Sequence, residues 1–293
     1  MKPDFEKVSE AKLEEVLLMG SIENRIPFRK LRWIGQEAPY INQIKIDLCD
    51  QMIIGRYGGN RQAGAYKNED GAMVVKGADW EFAMVLDGHN SAESVDLVLK
   101  TIENEWEKLV AFLEEPVEIA FQSFENHILS VFRSLAFLEA CKQIQGETAC
   151  LLCVRKENYL WWLSVGDCVL YLLHEDLHKL GQYALNQRQF FEWIGQINTF
   201  SLPVPCYSSG IRELRTGLNR IVLITDGVLE CTGRYYETPS RLYSDCYEGE
   251  VHTNVEHILQ HVHENFGQDS ATIICWDYHN PLLATYPSNQ PMR

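Results

Sequence analysis

Apolar and polar positions alternate in the middle of the chain in a pattern that predicts β-hairpins. The runs AMVV and WEFAMVL are strand-like, and the segment KGAD between them supplies a glycine for a tight turn. After Asp87, which ends the second strand, apolar residues recur at helical spacing, with Asn90 and Glu93 placed as a capping box. The pattern therefore predicts a strand that ends on Asp-Gly-His and a helix that begins directly afterwards.

Further helices and strands follow on both sides of this hairpin. Residues 5–19 predict an amphipathic helix, and a second long helical pattern covers about 117–143. The runs TACLLCV, YLWWLSV and VLYLL are separated by short polar turns, which is typical of an antiparallel meander. The run RIVLI leads to a second Asp-Gly pair at Asp226, and Asp269 precedes a last strand, ATIICWDY.

No linker, repeat or low-complexity tract marks a boundary between large domains. We expect an N-terminal extension of mixed pattern over 1–54, a core domain over 55–278 and a loosely ordered tail over 279–293. Inside the core, 182–210 is polar and rich in glutamine and aromatic residues without clear periodicity, which predicts a flap or an insertion.

Composition narrows the class of partner. The 293-residue chain has 41 acidic against 26 basic residues, a formal net charge of −15 that argues against a nucleic acid or an anionic membrane as the main partner. Its apolar runs are far shorter than the roughly 20 residues that span a bilayer, and the N-terminus resembles no export signal. Nine scattered cysteines, an odd number, suit reduced thiols. We therefore expect a soluble, cytoplasmic protein.

Several acids stand at strand ends or in turns, and together they suggest a metal site. Each one alone is most simply a turn residue or a helix cap. If the fold brings them together, however, their mutual repulsion requires cations, and oxygen ligands favour Mg²⁺ or Mn²⁺. These acids are Asp87, Asp226, Asp269, the pair Glu69 and Asp70, and Asp167.

The order of these motifs resembles one known family. NED, DGH, GETA, VGD, TDG and a final Asp before a strand occur in this order over roughly 55–277, and the set is similar to the metal-dependent protein phosphatases of the protein phosphatase 2C (PPM) family. The resemblance implies an α+β fold, a four-layer αββα sandwich of two antiparallel β-sheets flanked by helix pairs. It also implies a serine/threonine protein phosphatase with a phosphoprotein substrate, in which a hydroxide shared by two Mg²⁺ or Mn²⁺ ions attacks phosphorus.

The resemblance assigns a role to each of these residues. Asp87 bridges both ions, and the carbonyl of Gly88 binds one of them. His89 protonates the departing oxygen, although a histidine in this position, taken alone, is more often a capping or packing residue. By the same resemblance, Asp226 and Asp269 bind the second ion, and Glu69 and Asp70 hold metal-bound waters. Asp167 and Glu230 bind a third, weaker ion.

One departure from the family pattern affects substrate binding. The family has a phosphate-binding arginine three residues before its NED-like element, and this chain has Ala65 there. Arg61 or Lys67 is the candidate to replace it. Ala65 therefore gives weight to an alternative, a phosphatase of small phosphoesters with the same ions. A non-catalytic binding module that keeps the fold also stays open.

Overall fold

Residues 28–288, which the computed structural model describes, form two antiparallel β-sheets. The first sheet contains, in spatial order, β1 (Arg29–Ile34), β4 (Gly71–Lys76), β5 (Trp80–His89), β6 (Glu147–Lys156), β7 (Tyr159–Val165) and β10 (Ser208–Glu213), and the short β9 (Ile194–Gly195) pairs with β6. The second sheet contains β2 (Ile44–Cys49), β3 (Met52–Tyr57), β12 (Ala271–Asn280), β11 (Gly217–Ile224) and β8 (Val169–Leu173).

Helices cover the outer faces of both sheets. The first sheet is covered by α1 (Glu93–Asn104), α2 (Trp106–Leu113), α3 (Val117–Phe132) and α4 (Leu135–Cys141), and a short helix, α5 (Glu175–Lys179), follows β8. The second sheet is covered by α6 (Pro239–Cys246) and α7 (Val251–Glu264). The predicted four-layer αββα sandwich is confirmed. No helix among the described residues is both long and apolar enough to cross a membrane.

The two-residue period of the strands explains this layering. On β5, Met84 packs among the helices of the first sheet, whereas its neighbour Val85 packs in the layer between the two sheets. The second sheet repeats the arrangement on β11, where Leu223 faces the other sheet and Val222 faces α6 and α7. Because successive side chains of a strand point to opposite faces, a strand with apolar residues at every position is buried on both sides.

The predicted meander is correct for two of its three strands. The strands β6 and β7 pair antiparallel, but β8 lies in the second sheet, where it pairs with β11. The chain crosses between the sheets at Gly166, whose φ of +88° and close approach to Ala149 both require glycine. The turn that was predicted to join two neighbouring strands therefore joins the two layers.

The predicted capping box at the start of the first helix is wrong. The strand β5 continues through Asp87 to His89, and α1 begins at Glu93. Asn90 has a left-handed φ of +73°, whereas the hydroxyl of Ser91 accepts the hydrogen bond from the Glu93 N–H at 3.1 Å. The carboxylate of Glu93 instead accepts the Gln145 N–H at 2.8 Å.

Parts of the predicted extension and tail belong to ordered structure. The strands β1 and β2 and the first half of β3 come from 1–54 and lie in the two sheets. The predicted helix over 5–19 lies outside the described residues. Beyond β12, the Thr216 hydroxyl donates to the carbonyl of Leu282 at 2.8 Å, so this part of 279–293 contacts the connection between β10 and β11.

Candidate metal centre

Strand register brings acids from both sheets to one end of the layer between them. Asp87 follows Ala83 and Val85 on the face of β5 that points toward the second sheet, and it is only 3 % exposed. In the second sheet, Asp226 follows the last residue of β11 by two positions, and Asp269 precedes β12 by two. Since β11 and β12 run antiparallel, the end of one lies beside the start of the other.

Three of the predicted residues meet at close range. One carboxylate oxygen from each of Asp87, Asp167 and Asp226 lies within 4.8 Å of the other two, and all three residues are buried. The sequence placed Asp167 with Glu230 in a separate, weaker site. The structure places an oxygen of Asp167 close to oxygens of Asp87 and Asp226, so the predicted third position adjoins the main cluster.

Asp70 connects the two sheets at the same end. Its Oδ2 accepts hydrogen bonds from the hydroxyls of Thr225, at 3.1 Å, and Thr272, at 2.6 Å. Asp70 directly precedes β4 in the first sheet, whereas the two threonines belong to the second. No pattern in the sequence singles out these threonines, although they lie within one and three residues of the predicted ligands Asp226 and Asp269.

Burial and mutual repulsion make this cluster unfavourable for negative charge. Burial, followed by the charges of neighbouring aspartates, raises the pKa of Asp87 well above its ordinary range. Burial likewise raises the pKa of Asp70, although its hydrogen bond from Thr272 opposes the change. The pKa of Asp226 is raised to about 6 and that of Asp269 is also raised, in both cases mainly by burial.

The residues present fit a hard divalent cation. Asp87 Oδ2 is buried and has no hydrogen-bond donor among the described residues. The cluster offers only oxygen ligands, which Mg²⁺ and Mn²⁺ prefer, and a dication would offset the repulsion between the carboxylates. An acceptor left without a donor in a buried site costs free energy, and a bound cation would remove that cost.

The glycines after Asp87 and Asp226 allow close backbone approach. A Cβ on Gly88 would lie 2.4 Å from the carbonyl oxygen of Glu69, and one on Gly227 would lie 1.9 Å from the carbonyl oxygen of Ser270. Glycine at 88 thus lets the segment with Glu69 and Asp70 pack against β5, in addition to the role that the resemblance implies. The way neighbouring segments pack therefore requires the glycine of each Asp-Gly pair.

The two predicted phosphate-binding residues lie in different settings. Lys67 forms an ion pair with Glu69, and its Nζ is 3.4 Å from the carbonyl oxygen of Asn90. Arg61 lies in an exposed 3₁₀ turn whose backbone N–H donates to Asn42 Oδ1 at 2.8 Å, and no ion pair of its side chain is found within residues 28–288. Lys67 is therefore partly neutralised, and Arg61 faces solvent.

His89 stands at the mouth of the site. Its side chain is 44 % exposed, and its Nδ1 is 3.9 Å from Asp87 Oδ1. The ring of Trp193, from the segment 182–210, packs edge-to-face on the imidazole with the ring centroids 6.3 Å apart. The sequence predicted His89 but not Trp193, because nothing in a segment without periodicity indicates which of its residues turns toward the site.

Arg188, from the same segment, is a second residue that the sequence did not predict. Its Nη2 donates to Glu230 Oε1 at 2.6 Å and lies 3.2 Å from Asp226 Oδ2. The same nitrogen is 3.4 Å from Asp167 Oδ2. The guanidinium of Arg188 therefore contacts both Asp167 and Glu230, the two residues predicted to bind a third ion.

Comparison with solved structures identifies the fold. No protein-family model matches the chain, and no curated protein matches its sequence. A bacterial serine phosphatase is similar in structure, with a TM-score of 0.56, 16% identity, and coverage of 78% of this chain and 97% of the other. The serine/threonine phosphatase Stp1 from Staphylococcus aureus has a TM-score of 0.56 and 14% identity, and the match covers 81% of this chain and 94% of Stp1's.

A third match contains metal ions. The catalytic domain of the serine threonine protein phosphatase PstP, in complex with 2 manganese ions, has a TM-score of 0.52 and 15% identity, and the match covers 85% of this chain and 98% of PstP's. At such identities the likeness shows the fold and not the activity. The chain therefore has the fold of the protein phosphatase 2C family of metal-dependent phosphatases, as the order of its motifs predicted.

Proposed function

We propose that the chain is a Mg²⁺- or Mn²⁺-dependent phosphatase that hydrolyses phosphoserine or phosphothreonine in proteins. The observation that carries the proposal is the buried cluster in which oxygens of Asp87, Asp167 and Asp226 lie within 4.8 Å of one another. Carboxyl pKa values raised by burial and by neighbouring carboxylates, as at Asp87, are typical of functional sites. The nine scattered cysteines, an odd number, suit reduced thiols, which supports the cytoplasmic location that we also propose.

Two ions are assigned to ligands from both sheets. Asp87 and the Gly88 carbonyl contribute from the first sheet, and Asp226 and Asp269 contribute from the second. Asp70 and Glu69 are proposed to hold water molecules that are bound to the ions. Bound there, the ions would supply a water of lowered pKa and would offset charge on the phosphoryl oxygens.

His89 is proposed to give a proton to the departing serine or threonine oxygen. Its position at the mouth allows its ring to meet a substrate, and its Nδ1 lies 3.9 Å from Asp87 Oδ1. The Trp193 ring limits the orientations that the imidazole can adopt.

A second candidate function is hydrolysis of a small phosphoester by the same site. The observation in its favour is Ala65, buried where the family has its phosphate-binding arginine. Lys67 and Arg61 stay the proposed substitutes, and Lys67 lines a cavity of about 410 Å³ beside Glu69. A cavity of this size accepts either a small molecule or a side chain of a peptide.

Hydrolysis of a chromogenic aryl phosphate with and without Mn²⁺ tests the proposal. We expect turnover that requires the metal and that is lost in Asp87→Asn. Asp50→Asn is the matched control, because Asp50 is a partly exposed turn residue at a left-handed φ of +56°, which asparagine tolerates. The control should keep the wild-type rate.

Substrate panels separate the two candidate functions. Faster hydrolysis of phosphoserine and phosphothreonine peptides than of small phosphoesters supports the protein phosphatase, and the reverse order supports the second candidate. A folded wild-type protein that binds no Mn²⁺ and turns over neither class would contradict both. It would leave the non-catalytic binding module as the function.

A further inference from the structure

Arg188 places a positive charge among three acids of the candidate metal centre. Its Nη2 lies 2.6 Å from Glu230 Oε1, 3.2 Å from Asp226 Oδ2 and 3.4 Å from Asp167 Oδ2. The resemblance assigned Asp167 and Glu230 to a third, weaker ion. A nitrogen of the guanidinium therefore lies between the two carboxylates that were predicted to share that ion.

Hydrogen bonds on both sides of Arg188 fix the segment that carries it. On one side, the buried Asn186 accepts the Leu170 N–H at 2.8 Å, which attaches the segment to β8. On the other side, the Gln189 N–H donates to the carbonyl of Gly166 at 3.0 Å, at the point where the chain crosses between the sheets. The hydrogen bonds of its neighbours Asn186 and Gln189 therefore hold Arg188 in the site.

The surroundings of the guanidinium keep it charged. The side chain is 17 % exposed, and the ring of Phe190 packs on the guanidinium carbon at 4.8 Å from the ring centroid. Burial disfavours the cation, but the hydrogen bond to Glu230 and the charges of Asp226 and Asp167 outweigh burial, so the pKa of Arg188 is raised. A permanent positive charge therefore faces these acids at any physiological pH.

We propose that Arg188 is a built-in cation that fills the third position, so that the centre takes two divalent ions and not three. This inference rests on the proposed function, which assigns two ions to Asp87, Asp226 and Asp269. A dication that entered between Asp167 and Glu230 would first have to displace the guanidinium, since like charges at such short range repel strongly. The third position is thus filled before any metal ion binds.

Counting bound Mn²⁺ tests this inference without an activity assay. Equilibrium dialysis followed by elemental analysis should give two ions per wild-type chain and three per Arg188→Ala chain. Arg188→Lys, which keeps the charge, should stay at two. Arg212→Ala is the matched control, because Arg212 contacts Gln182, near the start of the same segment, at 3.0 Å and should leave the count at two.

A double variant locates the added ion. In Arg188→Ala/Glu230→Gln the count should return to two, because the proposed third position has lost a ligand. A count of three in the wild-type protein overturns the inference, and this measurement does not depend on the folding of any variant. A count of two in both the wild type and Arg188→Ala overturns the inference alone, whereas a count of zero in the wild type overturns the proposed function as well.

Discussion

Replacing Asp87 by asparagine separates the two effects of its charge, because the amide keeps the shape of the side chain and removes only the charge. In the metal-free protein the charge is unfavourable, since burial and the charges of Asp226, Asp70 and Asp269 raise the pKa of Asp87 well above its ordinary range. In the presence of metal the same charge is the proposed ligand. Asp87→Asn should therefore stabilise the metal-free protein and abolish the stabilisation that Mn²⁺ provides.

The geometry of the cluster sets the magnitude of this effect. Two unit charges 4.8 Å apart, the upper limit for oxygens of Asp87, Asp167 and Asp226, repel by about 3.5 kcal/mol at an effective dielectric constant of about 20. Because a buried acid can escape this repulsion by binding a proton, we expect a gain of about 1 to 3 kcal/mol in the free energy of unfolding near pH 8. At about 2 °C per kcal/mol, Tm rises by about 2 to 6 °C.

The loss of metal stabilisation should be of similar size and opposite sign. A single ion at one hundred times its Kd stabilises the wild-type protein by about 2.7 kcal/mol, or about 5 °C in Tm. Thermal unfolding followed by circular dichroism, first in a chelator and then in Mn²⁺, measures both quantities. Asp50→Asn should match the wild type in both conditions.

Two results would refute this reasoning. If Asp87→Asn melts well below the wild type in the chelator, the charge is stabilising and the carboxylates do not repel each other as their spacing indicates. If Mn²⁺ raises the Tm of Asp87→Asn as much as that of the wild type, Asp87 is not a ligand.

Three further predictions concern other parts of the molecule. The folded-state pKa of Asp226 is raised to about 6. Protonated Asp226 therefore contributes about 3 kcal/mol to the free energy of unfolding below about pH 4, and this contribution is lost as the pH rises through 6. The Tm gain of metal-free Asp226→Asn over the wild type should accordingly be larger at about pH 8 than at about pH 5. His89→Ala should slow hydrolysis of phosphoserine peptides by roughly 10² to 10⁴ in kcat, with a smaller loss on aryl phosphates, whose leaving group needs less protonation. Glu81→Gln removes the carboxylate that pairs with buried Arg155, and urea unfolding should show a loss of about 3 to 5 kcal/mol.

The sequence predicts the site best where strand ends carry the chemistry. A run of apolar residues that stops at an acid, as before Asp87 and Asp226, is a local signal, and the order of such runs identified the fold. The hairpin of β4 and β5 was predicted for the same reason, since its turn and both strands lie within 19 residues of the chain. Local periodicity is enough when the interacting segments are neighbours.

The parts that the sequence did not predict depend on long-range packing. The apolar period of β8 is the same whether the strand pairs with β7 or with β11, so the change of sheet at Gly166 leaves no periodic signal. The contact between Arg188 and Glu230 joins residues 42 apart in the chain. Charged side chains of this kind have no fixed spacing from their partners, and only the folded structure brings them together.

The division of the proposed ligands between the two sheets has a consequence for metal choice. Asp87 and Asp226 sit on opposite layers, so the thickness of the apolar layer between them sets the distance across the site. Small residues such as Ala83 and Ala149 occupy that layer. Enlarging either one would push the halves of the site apart and favour an ion of larger radius, with every ligand left unchanged.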